Sequence, residues 1–276
     1  MGLEFRTPGV LTGLGGVPPR AVIRLPADPV GICSPVRHLV LQPTEAASLP
    51  LPAKRFTENQ IRPAGRLVEI LLSLDRAPLV EPRRAEFRVV GTCRHFAVLA
   101  CALLRSRGIP SRVRCGFATY FQPGQALDHW IVEYQDGDRG RWVRIDPEIL
   151  GGDVLEHPDD LRPGEFLDAA EAWRAYRRGD VDATVFGVHG TENFGPAEIR
   201  GNLVRDLASV NKTEMLPWDE WGRMTEAYAY ETGPDYDELL DAVAAALVAE
   251  DLPAATALYR GRSELTVPQR LLHPGA

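Results

Sequence analysis

Residues 92–107, TCRHFAVLACALLRSR, constrain this chain more than any other stretch. Phe96, Leu99, Ala100, Leu103 and Leu104 recur at the three-to-four spacing of an α-helix, and Gly108-Ile109-Pro110 supplies a C-cap glycine followed by a residue that cannot continue a helix. Three strand-like runs follow, at 112–121, 129–134 and 141–146. One helix leading into consecutive strands predicts an α+β fold built on an antiparallel sheet.

The chemistry sits at the edges of these elements. Thr92 is placed to cap the helix, which puts the Cys93 thiol in the first turn. Unpaired N–H groups and the helix dipole favour a thiolate there, and thiolate is the nucleophilic form. Gly91 gives the chain room to bend in front of it. His129 and Asp146 mark opposite ends of a hairpin. If they pair directly, Trp130 faces Ile145, Val132 faces Val143, Tyr134 faces Arg141, and residues 135–140 form a polar loop. Opposed side chains share a face about 4.5–5.5 Å apart at Cβ, within reach of a His–Asp hydrogen bond. Cys93, His129 and Asp146 then supply nucleophile, base and orienting carboxylate. Asp128 adjoins His129 but faces the other way. His95 lies about 200° round the helix from Cys93 and reads as packing or hydrogen bonding. Cys101 and Cys115 read as core, and Cys33 as a free thiol in a loop.

These three blocks resemble one family. GTCRHFAVLACALLRSRGIPSRVRCGF, then DHWIVEY, then GRWVRIDPEI, is similar to the core of the transglutaminase-like superfamily, and the longer pattern with GNLVRDLASVNK and LPWDEWG resembles bacterial single-chain transglutaminase-domain proteins. The resemblance implies a papain-like thiol fold and acyl transfer through a thioester, with Cys93, His129 and Asp146 on the catalytic positions. It leaves open hydrolysis or transfer to an amine, and a small-molecule, peptide or carrier-bound acyl substrate. The Cys93 N–H is the natural oxyanion donor, with Gln60 the side-chain candidate. Asp128 stands where the family often has a small residue, which makes it a candidate for substrate contact. Trp130, read with Trp142 and Phe117 as strand packing, is the remaining candidate for lining a cleft. The alternative function is a catalytically silent binding module on the same fold.

Composition narrows the rest. The net charge is -7 and the pI about 5.5, which argues against general nucleic-acid binding. The four cysteines have no zinc-type spacing, no acidic calcium loop is evident, and no metal or cofactor is expected. The first residues lack a secretory layout, and no apolar run approaches a membrane span, so a cytoplasmic protein is expected. Oligomeric state is not legible. Residues 1–55, rich in Pro and Gly, predict short strands and turns. Leu67, Ile70, Leu71 and Leu74 predict a helix over 65–75. Helical patterns at 165–178, 197–210, 219–229 and 235–249 predict a helical C-terminal region, 155–276, behind a catalytic domain, 1–154. Asn193, Asn202 and Asn211 read as surface or capping residues, and Trp218, Trp221, Tyr228 and Tyr230 as helix packing.

Overall fold

The computed structural model describes residues 4–272; His273 and the first three residues lie outside the described residues. The fold is mixed α+β. It divides into two compact units, one formed by Glu4–Val113 and Ile131–Leu161, the other by Arg114–Trp130 and residues 162–272. Two of the cuts, after Val113 and after Trp130, fall within strands, and a third, after Leu161, lies near the change of composition around residue 155.

In the first unit, the proline-rich start is helical rather than stranded. Pro19, Pro29, Pro35 and Pro43 each stand in the first two positions of a short helix, where proline's fixed φ and missing N–H cost nothing. Short strands were expected here, and among the described residues of this stretch one forms, β1 (Val40–Leu41). It pairs in parallel with β2 (Val89–Val90), Val40 opposite Val89 and Leu41 opposite Val90. Between them lies α1 (Ala64–Leu74), whose Leu67, Val68 and Leu71 are buried. Then comes α2 (Cys93–Ser106), buried at every position from Cys93 to Arg105, so it is a central helix and not an amphipathic surface one. Its end is a Schellman motif: Gly108 is at φ +74°, its N–H donates to Arg105 O, and the Ile109 N–H donates to Leu104 O.

Two strands, β3 (Ser111–Ala118) and β4 (Ala126–Asp136), contribute residues to both units. In the first unit β4 lies between β3 and β5 (Arg141–Ile145), and β4 and β5 are antiparallel. Their register differs from the expected one: Val132 faces Ile145, Tyr134 faces Val143 and Asp136 faces Arg141. The loop is tighter, residues 137–140. The Asp136 carboxylate closes it by accepting from the N–H groups of Asp138 and Arg139, and Gly140 takes φ +65°. Glu133 on β4 is buried between Arg112 (2.6 Å) and Arg144 (3.0 Å), which ties three strands by charge.

In the second unit, β6 (Phe166–Asp168) pairs antiparallel with β3, and β7 (Phe186–Gly187) pairs parallel with β4. The 165–178 pattern thus begins as strand. Asp168 then caps α3 (Ala169–Arg178) through the N–H groups of Ala170 and Glu171. The central helix here is α4 (Pro196–Val210), with α5 (Pro234–Val248) and α6 (Leu252–Gly261) following. Buried Asp206 of α4 accepts from Arg114 Nε (3.0 Å) and Nη2 (2.8 Å) and from the Cys115 N–H (2.9 Å). Helix over 219–229 shrinks to Met224–Tyr228, because Gly222 turns at φ +59° against the Glu264 backbone, where a Cβ would lie 2.0 Å from a carbonyl oxygen. Of the four aromatic residues read as helix packing, Trp218 and Tyr230 are exposed, whereas Trp221 is buried and donates to Leu265 O.

Candidate active site

Cys93 is the first residue of α2 and is 8% exposed. Two features hold it there. The β1–β2 ladder ends with the Gly91 N–H donating to Leu41 O (2.9 Å), which fixes the backbone two residues before the thiol. His95 then closes the helix start, its Nδ1 accepting from the Thr92 N–H at 3.0 Å. The His95 ring is fully buried, and burial followed by the Arg94 charge pushes its pKa down to about 3. A neutral imidazole already committed to a cap is a structural part of the helix start. Gly91 is required for space and not for an unusual turn: a Cβ there would lie 2.7 Å from His95 Cγ.

Asp146 directly follows β5 and is completely buried. Its N–H donates to Pro158 O and its Oδ1 accepts from the Glu148 N–H, both at 2.9 Å. Glu148 is in turn held by Gln42 Nε2 at 2.7 Å. Gln42 follows β1, whose ladder with β2 leads to Cys93, so one side chain braces the Asp146 turn from beside the start of α2. Sequence reasoning missed Gln42; only the two-residue β1–β2 ladder reveals it. Gln60, the glutamine singled out instead, is exposed at the end of a 3-10 helix and donates to Asn59 Oδ1.

His129 lies in the part of β4 that belongs to the second unit. The β4–β5 ladder sets Val132 and not Trp130 opposite Ile145, so the register that would pair His129 directly with Asp146 is not the one adopted. Continuing the observed ladder past Ile145 sets Asp146 against Ile131, two residues further along β4 than His129. The tighter loop causes the slip, and because the slip is even, 129 and 131 keep the same face of the strand. The His129 imidazole is 2% exposed and packs edge-on against Phe121 (5.0 Å) and Tyr120 (6.1 Å), neither of which the sequence had flagged.

The two remaining candidates also receive places. Trp130 is fully buried. Asp128 is engaged by α4: Asn202 Nδ2 donates to its Oδ1 at 2.8 Å, and burial, opposed by Arg205 and Asn202, raises its pKa. Asn202 is therefore a buried linker, in contrast to the surface reading; Asn211 does cap α4, through Leu207 O. The same polar group continues through Arg205 to the Tyr228 hydroxyl, which donates to Glu198. Burial lifts the Glu198 pKa to about 7. Among the described residues, no group of three His, Cys, Asp or Glu side chains comes together as a metal site.

Comparison with known proteins gives the class. Residues 77–147, which contain Cys93, His129 and Asp146, match the Transglutaminase-like superfamily. Among solved structures it is similar to a protein from Cytophaga hutchinsonii provisionally described as a cysteine protease, at 18% identity and a TM-score of 0.36. That match covers 61% of this chain and 47% of the other, about half its length. Comparison with curated proteins gives no match. No helix of the described residues is long and apolar enough to cross a membrane.

Proposed function

We propose that the protein is a cysteine-dependent acyl-transfer enzyme acting on an amide or thioester carbonyl. The observation that carries this reading is the position of Cys93, held in the first turn of a buried helix within the family match. In the proposed reaction the Cys93 sulfur attacks the carbonyl carbon while its proton passes to His129. The Cys93 backbone N–H stabilises the oxyanion. Collapse of the tetrahedral intermediate breaks the bond to the amine or thiol, which leaves with the proton from His129. Water or an amine then attacks the thioester, gives its proton to His129, and releases the acid or amide with the thiol restored. Asp146 orients and stabilises the imidazolium; the bracing of its turn by Glu148 and Gln42 supports a role that depends on a fixed carboxylate. None of the four buried cysteines is in a disulfide, which supports a reducing, cytoplasmic setting.

Intact-mass spectrometry with a panel of acyl thioesters and amides tests the reading. The wild type should gain the mass of one acyl group and Cys93→Ala should gain none. No adduct, no turnover and no selective alkylation of Cys93 at neutral pH would sink it, and would favour a silent binding module.

A further inference from the structure

We propose that Tyr120 and Phe121 form an aromatic shelf beside His129 that receives an aromatic group of the substrate, carried on its acyl or its amine side. The inference rests on the reading of His129 as the base and names the substrate class.

The shelf belongs to the loop joining β3 to β4, within the second unit. The loop is pinned at one end, where Thr119 donates from its N–H to Glu165 O (3.0 Å) and from Oγ1 to Gly164 O (2.8 Å). It turns at the other end through Pro123 and Gly124, the latter at φ +78°, with the Gln125 N–H on Gln122 O. Tyr120 and Phe121 sit between these anchors with ring centroids 4.7 Å apart. Both meet the His129 ring near the perpendicular, Phe121 at 71° and Tyr120 at 84°.

One exposed phenylalanine is ordinary. Here it is the outermost of three rings in mutual contact, and the buried one is the proposed base: Phe121 is 38% exposed where His129 is 2%. A general base must come within about 2.6–3.2 Å of the atom whose proton it moves. The Phe121 centroid is 5.0 Å from the imidazole, so whatever flanks the reacting carbonyl on that side rests against this ring. The Phe121 ring offers a charged or hydrated group no hydrogen bond in return for the water it would lose there. An aromatic group would gain offset or edge-to-face contacts with two rings already held in place. Preorganisation of the loop also spares the ordering cost that a mobile aromatic side chain would impose.

The test does not depend on turnover. Cys93→Ala protein with labelled histidine is titrated with N-methylphenylacetamide (ring on the acyl side), N-benzylacetamide (ring on the amine side) and N-methylacetamide, following the His129 ring signal assigned with His129→Asn. At least one aromatic amide should move that signal saturably, binding about tenfold or more tightly than N-methylacetamide. Phe121→Ala should remove about tenfold of the affinity and Phe121→Trp should keep it, with unfolding temperatures of both variants confirming the fold. The arm that responds identifies the side bearing the ring. No movement with either aromatic amide, or movement indifferent to Phe121→Ala, overturns the proposal. Failure of the enzyme reading would show separately, as a wild-type Cys93 that takes no acyl group.

Discussion

Glu198→Gln should change how stability depends on pH, and the size and sign follow from where Glu198 sits. Its carboxyl is 7% exposed, accepts from the Tyr228 hydroxyl at 3.1 Å, and feels the Arg205, Asp128 and Glu220 charges. Burial dominates and lifts its pKa from 4.5 to about 7. At about 1.4 kcal/mol per tenfold change in proton affinity, that gap amounts to about 3 kcal/mol, with water at the partly open edge reducing it toward about 2. Below pH 4.5 the carboxyl is protonated in both states and contributes nothing to the pH dependence. Between 4.5 and about 7 the unfolded chain ionises while the folded one keeps its proton, so stability falls as pH rises and then levels off. Glutamine has the shape of the protonated acid and cannot ionise. Guanidinium unfolding at pH 5, 6, 7 and 8 should therefore find the variant close to wild type at pH 5 and more stable by about 2–3 kcal/mol at pH 8. A difference between the two proteins that stays constant with pH would refute the reasoning, because it would mean Glu198 is ionised across the whole range.

Three further outcomes are expected. Asp206→Asn removes the charge that Arg114 and the Cys115 N–H share in the interior, and should cost about 3–5 kcal/mol in urea unfolding; a loss below about 1 kcal/mol would show the pair to be solvated. Gly91→Ala drives a Cβ into His95 and should cost about 1–3 kcal/mol while slowing Cys93 alkylation, with unchanged stability counting against the close approach. Gln42→Ala and Glu148→Ala should each lower kcat by about 10–100-fold with KM little altered, and the double variant should be no worse than either single one; additive losses would dissolve the brace.

What the sequence made legible is what short-range physics writes into it. Cap, period and terminator of α2 all lie within a few residues of one another, as do the Asp136 and Gly140 signals that close the β4–β5 loop, although the latter were read as a looser turn. The parts that escaped depend on partners far along the chain. Nothing local announces that Asp206 receives Arg114, that Asn202 holds Asp128, or that Gln42 reaches Glu148. The C-terminal helices were readable one by one, but the short strands β6 and β7 in the same unit were not, since an amphipathic stripe records that a face is covered and not by what. Proline misled for a related reason: the same residue ends strands and begins helices, and only its neighbours' final hydrogen bonds decide which.

The register error shows why a site can be legible when its geometry is not. A hairpin can slip by one residue only by turning the side chains of one strand to the opposite face, which here would take buried Val143 and Ile145 of β5 to the less buried face of Trp142 and Arg144. Burial therefore forbids odd slips and says little about even ones. Which even register is adopted is left to the loop, where Asp136 and Gly140 choose the tighter closure. The direct opposition of His129 and Asp146 was a claim about the loop, and that claim failed: Val132, not Trp130, faces Ile145. Extending Gly137–Gly140 by two residues probes the same logic: the expected result is an intact fold with the register unchanged, because Asp136 still opposes Arg141 and the core pairs on β4 and β5 stay where they are. Deleting one residue from that loop should instead cost several kcal/mol, about what a misplaced pair of buried side chains costs, measured as a drop in the urea midpoint. A one-residue deletion tolerated without loss would mean that the buried face does not set the register at all.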